Sequence, residues 1–359
     1  MEYEYWLAAI PCLSDEKKRL LREEYKEGRA VYYIEEMRLR FLPFLDDRDV
    51  EAILKAKKEI QVEREWECMT KQNIRFIPCF SEEYPKKLLK IPDPPYALYV
   101  KGKLPEEDRP GVAIVGARKC TPYGQELALD YGRFLAEHGI QVISGMARGI
   151  DGAGQRGALG GGGTTFGVLG CGVDICYPRE HIGLYMDIQQ RGGILSEHRP
   201  GRPPLPMYFP MRNRIISGLS DLVLVMEARE RSGSLITADQ ALEQGKDVYA
   251  LPGPVTSPFS QGCHRLIRQG AGILISPEDL LAELGMAPEE SRQKTDKIEK
   301  TLENDENVVY SCLGFFPKGI SQLIEETGLC ASVLLQRLIS LELKGCIREV
   351  SKNHYIRVR

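Results

Sequence analysis

Between residues 111 and 284, short apolar runs alternate with longer amphipathic stretches. The runs are GVAIVG, IQVIS, FGVLG, GILSE, DLVLVME, DVYAL and GILIS, and each closes on Gly, Ser or Pro-type punctuation. Continuous apolar runs of this length suit strands buried on both faces, and the intervening stretches suit helices. The pattern predicts an α/β domain with a doubly wound, mostly parallel sheet, whose ligands bind beyond the carboxyl ends of the strands. Upstream, Leu20, Leu21 and Tyr25, then Val50, Ile53 and Leu54, fall at helical spacing in a charged block. Residues 76–110 are rich in Pro and Tyr and read as an extended connector with one strand at Ala97–Val100. GALGGGGT (157–164) reads as a glycine-rich turn. Residues 286–300 are charged and read as a linker. From Leu302 onward the order helix, short helix, longer helix, hairpin is that of a winged helix. The predicted segments are therefore 1–75 (helical), 76–285 (α/β), 286–300 (linker) and 301–359 (winged helix).

Composition narrows the class. The chain has 359 residues, a net charge of -3 and ten cysteines with no C-x-x-C pair. Scattered thiols and an acidic N-terminal stretch point to reduced cysteines in the cytoplasm, and no apolar run approaches a membrane span. The overall charge argues against indiscriminate nucleic-acid binding, so local charge decides. P-loop, H-E-x-x-H and G-x-S-x-G patterns are absent, and the five histidines are dispersed. No metal, cofactor or paired-carboxylate site is expected, and the chain reads as a non-enzyme.

Five motifs follow strand ends. GVAIVGARKCTPYGQ (111–125) sets Arg118 and Lys119 between a strand and a helix, where backbone N–H groups and cations receive an anion. It lacks the dinucleotide fingerprint. SGMARGIDGAGQ (144–155) offers Arg148, with Asp151 as a helix N-cap. RPGRPPLPMYFPMRNR (199–214) holds Arg199, Arg202, Arg212 and Arg214 without an acidic residue, and Tyr208 and Phe209 lie among them. Cations interleaved with aromatics are the ingredients of a single-strand site, in which charge tracks the backbone and a ring stacks on a base. EARERSGSLITADQAL (227–242) opens a helix at Ser232, Gly233 and Ser234, a further anion site. VLGCGVDICYPREH (168–181) reads as structural.

These motifs, with ALPGPV and GCHRLIRQGA, resemble in order and spacing the DNA-processing protein A (DprA, or Smf) family, from about Phe76 to Leu284. Residues 302–359 resemble the winged-helix tail of many members, and the N-terminal block resembles their small helical domain more loosely. The resemblance implies an extended Rossmann-like domain that binds single-stranded DNA as a homodimer and loads the RecA recombinase onto it. It maps a phosphate pocket onto Arg118, Arg212, Asn213, Arg214, Ser232, Gly233 and Ser234, with Phe209 beside the bases. It places dimer and RecA contacts at roughly 235–275, around Leu266 and Ile267. Gln155, His181 and His264 stand where the family usually has His, Asn and Asn, and the cation common before Phe209 is absent. The tail's longest helix offers only Arg337 and Lys344 as cations, so this module is expected to pack against protein or touch DNA weakly. A nucleotide-binding or nucleoside-monophosphate-hydrolysing Rossmann enzyme is the alternative, with Asp239 near the place of that group's glutamate.

Overall fold

The computed structural model describes residues 1–286, 304–314 and 317–357, so most of the expected linker lies outside the described residues. The chain forms two compact units, residues 1–120 with 124–277, and residues 278–359 with 121–123.

The larger unit is built on a nine-stranded sheet. Its strands are β1 (Arg75–Pro78), β2 (Ala97–Gly102), β3 (Gly111–Val115), β4 (Gln141–Ser144) and β5 (Thr165–Val168), then β6 (Gly193–Ser196), β7 (Leu222–Val225), β8 (Asp247–Ala250) and β9 (Gly272–Ile273). Their spatial order is β1-β2-β6-β5-β4-β3-β7-β8-β9. Pairing is parallel from β6 through β9, while β1 and β2 are antiparallel additions at one edge. All seven apolar runs read from the sequence are strands. Every residue of β3 to β7 is buried, as sheets covered by helices on both faces require.

Residues 76–110 are more than a connector. β1 pairs with β2 and β2 pairs with β6, so this segment extends the sheet. Pro78 ends the edge strand β1, where a missing N–H is tolerated.

The N-terminal block folds as six helices, Glu2–Ala9, Asp15–Tyr25, Gly28–Tyr32, Glu36–Arg40, Asp47–Glu59 and Val62–Lys71. Local chemistry starts two of them. Ser14 Oγ accepts the Lys17 N–H, and Asp46 and Asp49 form a reciprocal capping box. Tyr5, Trp66, Phe76 and Tyr99 interlock edge-on or tilted, with ring centroids 5.4–6.1 Å apart, and pack the block against β1 and β2.

Gly157–Gly160, expected in a turn, instead continue the helix Ile150–Gly160. The missing side chains of Gly157 and, on the facing helix, Gly132 let this helix touch Pro122–Glu137. A Cβ at Gly157 would lie 2.0 Å from the Leu129 carbonyl oxygen, and one at Gly132 would lie 2.1 Å from that of Gly154.

In the smaller unit, the helices Asn304–Cys312, Ile320–Thr327 and Ala331–Leu343 precede the hairpin Ile347–Ser351 and His354–Arg357. This is the winged-helix order. Val309, Leu323, Leu334, Leu338 and Leu341 form its core. Both cations of its longest helix are engaged within the unit, Arg337 with Asp305 at 3.4 Å and Lys344 with Glu306 at 2.7 Å. Among the described residues, no helix is long and apolar enough to cross a membrane.

The helix contact yields a prediction. Gly157→Ala will lower the denaturant midpoint of unfolding, because an overlap with backbone sits at the upper end of the about 1–3 kcal/mol cost of overpacking. That exceeds the roughly 1 kcal/mol that alanine adds through helix propensity. An unchanged or raised midpoint would contradict this close approach.

Candidate nucleic-acid interface

The chain runs outward from β3 through β4, β5 and β6, then returns to lay β7 on the other side of β3. The loops after β3 and β7 therefore diverge, and a cleft of about 600 Å³ opens at this switch point. Five elements supply its walls: residues 116–119 after β3, Tyr177 in the loop after β5, Arg229 and residues 231–234 after β7, the start of the helix Tyr208–Leu219, and Phe259.

Arg212 forms the floor. It is only 4% exposed. Its Nη1 donates to the Gly145 carbonyl at 3.0 Å and also to the Val168 carbonyl. Asp151 was expected to cap a helix. Instead Gly149, at φ 72°, is the N-cap, and the Asp151 carboxylate accepts the Gly145 N–H at 3.1 Å. Burial pushes the Asp151 carboxyl above its usual range, and the Arg212 charge pulls it back. Burial also pushes the Arg212 guanidinium down to about 10, with Asp151 opposing, so it stays a cation at neutral pH. Asn213, next on the helix, accepts from Arg212 Nε at 3.2 Å and reaches the Gly233 carbonyl at 3.4 Å.

Arg118 stands above this floor with its guanidinium 5.3 Å from the Phe209 ring centroid. Phe209 in turn stacks on Tyr177, centroids 5.5 Å apart and planes 29° apart. Cation and two rings form one continuous stack on one wall. Across from it, Ser232 caps the helix Gly233–Glu243, its Oγ accepting the Ser234 N–H, and the two hydroxyls lie 2.8 Å apart. This helix N-terminus lines the cleft, where an anion gains from first-turn N–H groups and from the helix dipole. Among the described residues no carboxylate pairs with Arg118, Lys119 or Arg231, all exposed at the cleft.

Eight of the ten residues singled out in the sequence thus line one cleft: Arg118, Lys119, Phe209, Arg212, Asn213 and the turn Ser232, Gly233 and Ser234. Arg148 stands at its rim, in an ion pair with the exposed Glu180. Arg214 does not belong with them. Its side chain, 11% exposed, is bound by Glu197 at 2.7 Å and Asp93 at 3.3 Å, so it braces the fold instead of facing a ligand. The undiluted basic run 199–214 is dispersed in space. Arg199 pairs with Glu65 at 3.1 Å, and Arg202 bonds the Tyr208 hydroxyl. Sequence reading missed Tyr177, Arg229 and Arg231. An aromatic residue or a second arginine just past a parallel strand's carboxyl end is the signal that could have found them. Among the described residues, no three His, Cys, Asp or Glu side chains are grouped to hold a metal.

Cations, a helix N-terminus and stacked rings at a topological switch point define a phosphate-binding Rossmann-like protein with room for a nucleobase. Residues 75–285 match the family model for DNA recombination-mediator protein A, and residues 293–351 match that for the DprA winged helix domain. The chain belongs to the DprA/Smf family. It is 39% identical to Protein Smf of Escherichia coli over 311 residues, covering 84% of this chain and 82% of that one. It is 42% identical to DNA processing protein DprA of Bacillus subtilis over 226 residues, 63% and 75% of the two chains. The X-ray structure of DprA from Streptococcus pneumoniae superposes with a TM-score of 0.68 at 34% identity, over 79% of this chain and 98% of that one. DNA processing protein A from Helicobacter pylori, whose structure concerns its mode of binding single-stranded DNA, gives 0.54 at 31% identity, over 59% and 95%.

The contrast between Arg214 and the cleft residues is testable. Arg214→Ala strands the nearly buried Glu197 carboxylate and will cost about 3–5 kcal/mol of stability by denaturant titration. The fraction that stays folded will keep the wild-type salt dependence of DNA binding. A shallower salt dependence would return Arg214 to the binding surface.

Proposed function

We propose that this chain binds single-stranded DNA in the switch-point cleft and hands it to the RecA recombinase, as a non-catalytic homodimer of the cytoplasm, during transformation or recombinational repair. The observation that carries the DNA reading is the stack of Arg118, Phe209 and Tyr177 beside a capped helix N-terminus. Such a site joins a backbone-tracking charge to a face for a base and needs no particular sequence. Phosphates sit on Arg118, Lys119 and the turn Ser232–Ser234. Arg212 supports them from below, and Arg148 stands at the rim, offset by Glu180. The names of the relatives support the same reading, and the Helicobacter pylori protein is described as binding single-stranded DNA. RecA delivery and dimerisation rest on family membership. Within this reading, residues 1–75 brace the sheet, 76–285 hold DNA, 286–300 link, and 301–359 form the winged helix.

The nucleotide-hydrolase reading loses ground on one point. A hydrolase needs a carboxylate placed to act on its substrate, and Asp239 is exposed on the helix Gly233–Glu243 outside the residues that line the cleft, while Asp151 on the floor is held by the Gly145 N–H.

Fluorescence anisotropy with a labelled single strand at several salt concentrations tests the assignment. Arg118→Ala and Lys119→Ala will each flatten the slope of log K against log salt by about 0.7, the loss of one counterion-releasing contact on single-stranded DNA. Unchanged slopes in both variants would place the DNA elsewhere.

A further inference from the structure

The far wall of the cleft repeats the chemistry of the near one. The guanidinium of Arg229, in the loop after β7, lies 4.5 Å from the centroid of the Phe259 ring, and both residues line the cleft. Arg229 is exposed, and among the described residues no carboxylate pairs with it. Phe259 is half-buried and is set in place by its backbone. Its carbonyl accepts the Ala228 N–H at 2.8 Å, and its own N–H donates to Ser257 Oγ at 3.3 Å. The backbone thus holds the residue in place, and its half-buried side chain lines the cleft beside Arg229.

The sheet order sets the separation of the two walls. β3, β7 and β8 are successive neighbours, and strands lie about 4.8 Å apart, so the loops after β3 and β8 emerge about 10 Å apart. Between them lie Arg231 and the helix N-terminus at Ser232–Ser234, where a phosphate gains most. One wall is Arg118 with Phe209 and Tyr177, and the other is Arg229 with Phe259. We infer that Phe259 and Arg229 form a second base-stacking wall, so that the cleft takes two bases of one strand with the phosphate between them on the helix N-terminus. The minimal ligand is then a dinucleotide step within a strand. A mononucleotide has one base and leaves one wall empty.

This inference rests on the proposed DNA binding, and one experiment separates the two. Thymidine 5′-monophosphate and oligothymidylates of two, four and twelve nucleotides are titrated against wild type, Phe259→Leu and Phe209→Leu. Leucine keeps apolar bulk and leaves the backbone clamp intact, and thermal melts verify folding. Wild type will gain sharply in affinity from the monophosphate to the longer strands. Phe259→Leu will weaken the twelve-nucleotide strand roughly tenfold, as for one lost stacked base, and will leave the monophosphate unchanged. A twelve-nucleotide strand bound by Phe259→Leu as by wild type, with Phe209→Leu weakened, overturns the second wall while DNA binding in the cleft stands. Equal affinity of wild type for the monophosphate and the strands also overturns it. No binding of any strand by wild type removes the proposed function itself.

Discussion

A single buried guanidinium organises the cleft. Arg212 comes from the helix that carries the chain back across the sheet, and it bonds the carbonyls of Gly145 and Val168 at the ends of two neighbouring strands. A charge in that place costs several kcal/mol unless it is paired and hydrogen-bonded. Asp151 supplies an opposing charge nearby and is itself fixed by the Gly145 N–H. Even the glycine is required, because a Cβ at residue 145 would sit 2.5 Å from an Arg212 nitrogen. The floor is thus a closed network of strand ends, loop and helix, which fixes where that helix begins.

The rest of the site follows from that anchor. Phe209 precedes Arg212 by three residues, so anchoring Arg212 holds the ring at the mouth of the cleft. Arg118 and Tyr177, from separate loops, then stack on it. The opposite bank depends on the tight exit from β7, where Ser232 starts a helix aimed at the same space. Because Asp151 offsets Arg212, the cations left to meet a ligand are the exposed ones on the banks. This division of labour leaves a chain of net charge -3 with a local concentration of exposed cations at the cleft.

Much of this was legible in the sequence, and the exceptions have physical causes. Parallel strands buried on both faces must be nearly continuous apolar runs, which is why all seven could be read. β1 was hidden because its Pro78 and its neighbours look like loop, although an edge strand accepts proline. Gly157 signalled helix contact instead of a turn, a distinction that depends on what lies opposite. Eight of the ten residues singled out for the site share one cleft because strand-end motifs converge at a switch point in any doubly wound sheet. Arg214 was misplaced because adjacency along the chain is not adjacency in space. Two residues along a helix from Arg212 it faces another way, toward Glu197 and Asp93. Tyr177 escaped notice because its motif was read for its glycines, and its partner Phe209 lies 32 residues away.

The most direct test of the cleft assignment is photo-crosslinking of single-stranded DNA carrying 5-iododeoxyuridine, with the modified residues located by mass spectrometry. Iodouracil couples preferentially to aromatic side chains stacked on it. The account predicts adducts concentrated on Phe209 and Tyr177, which stack at the mouth of the cleft. Adducts confined to the winged helix or the N-terminal helices, with both of those rings unmodified, would contradict it.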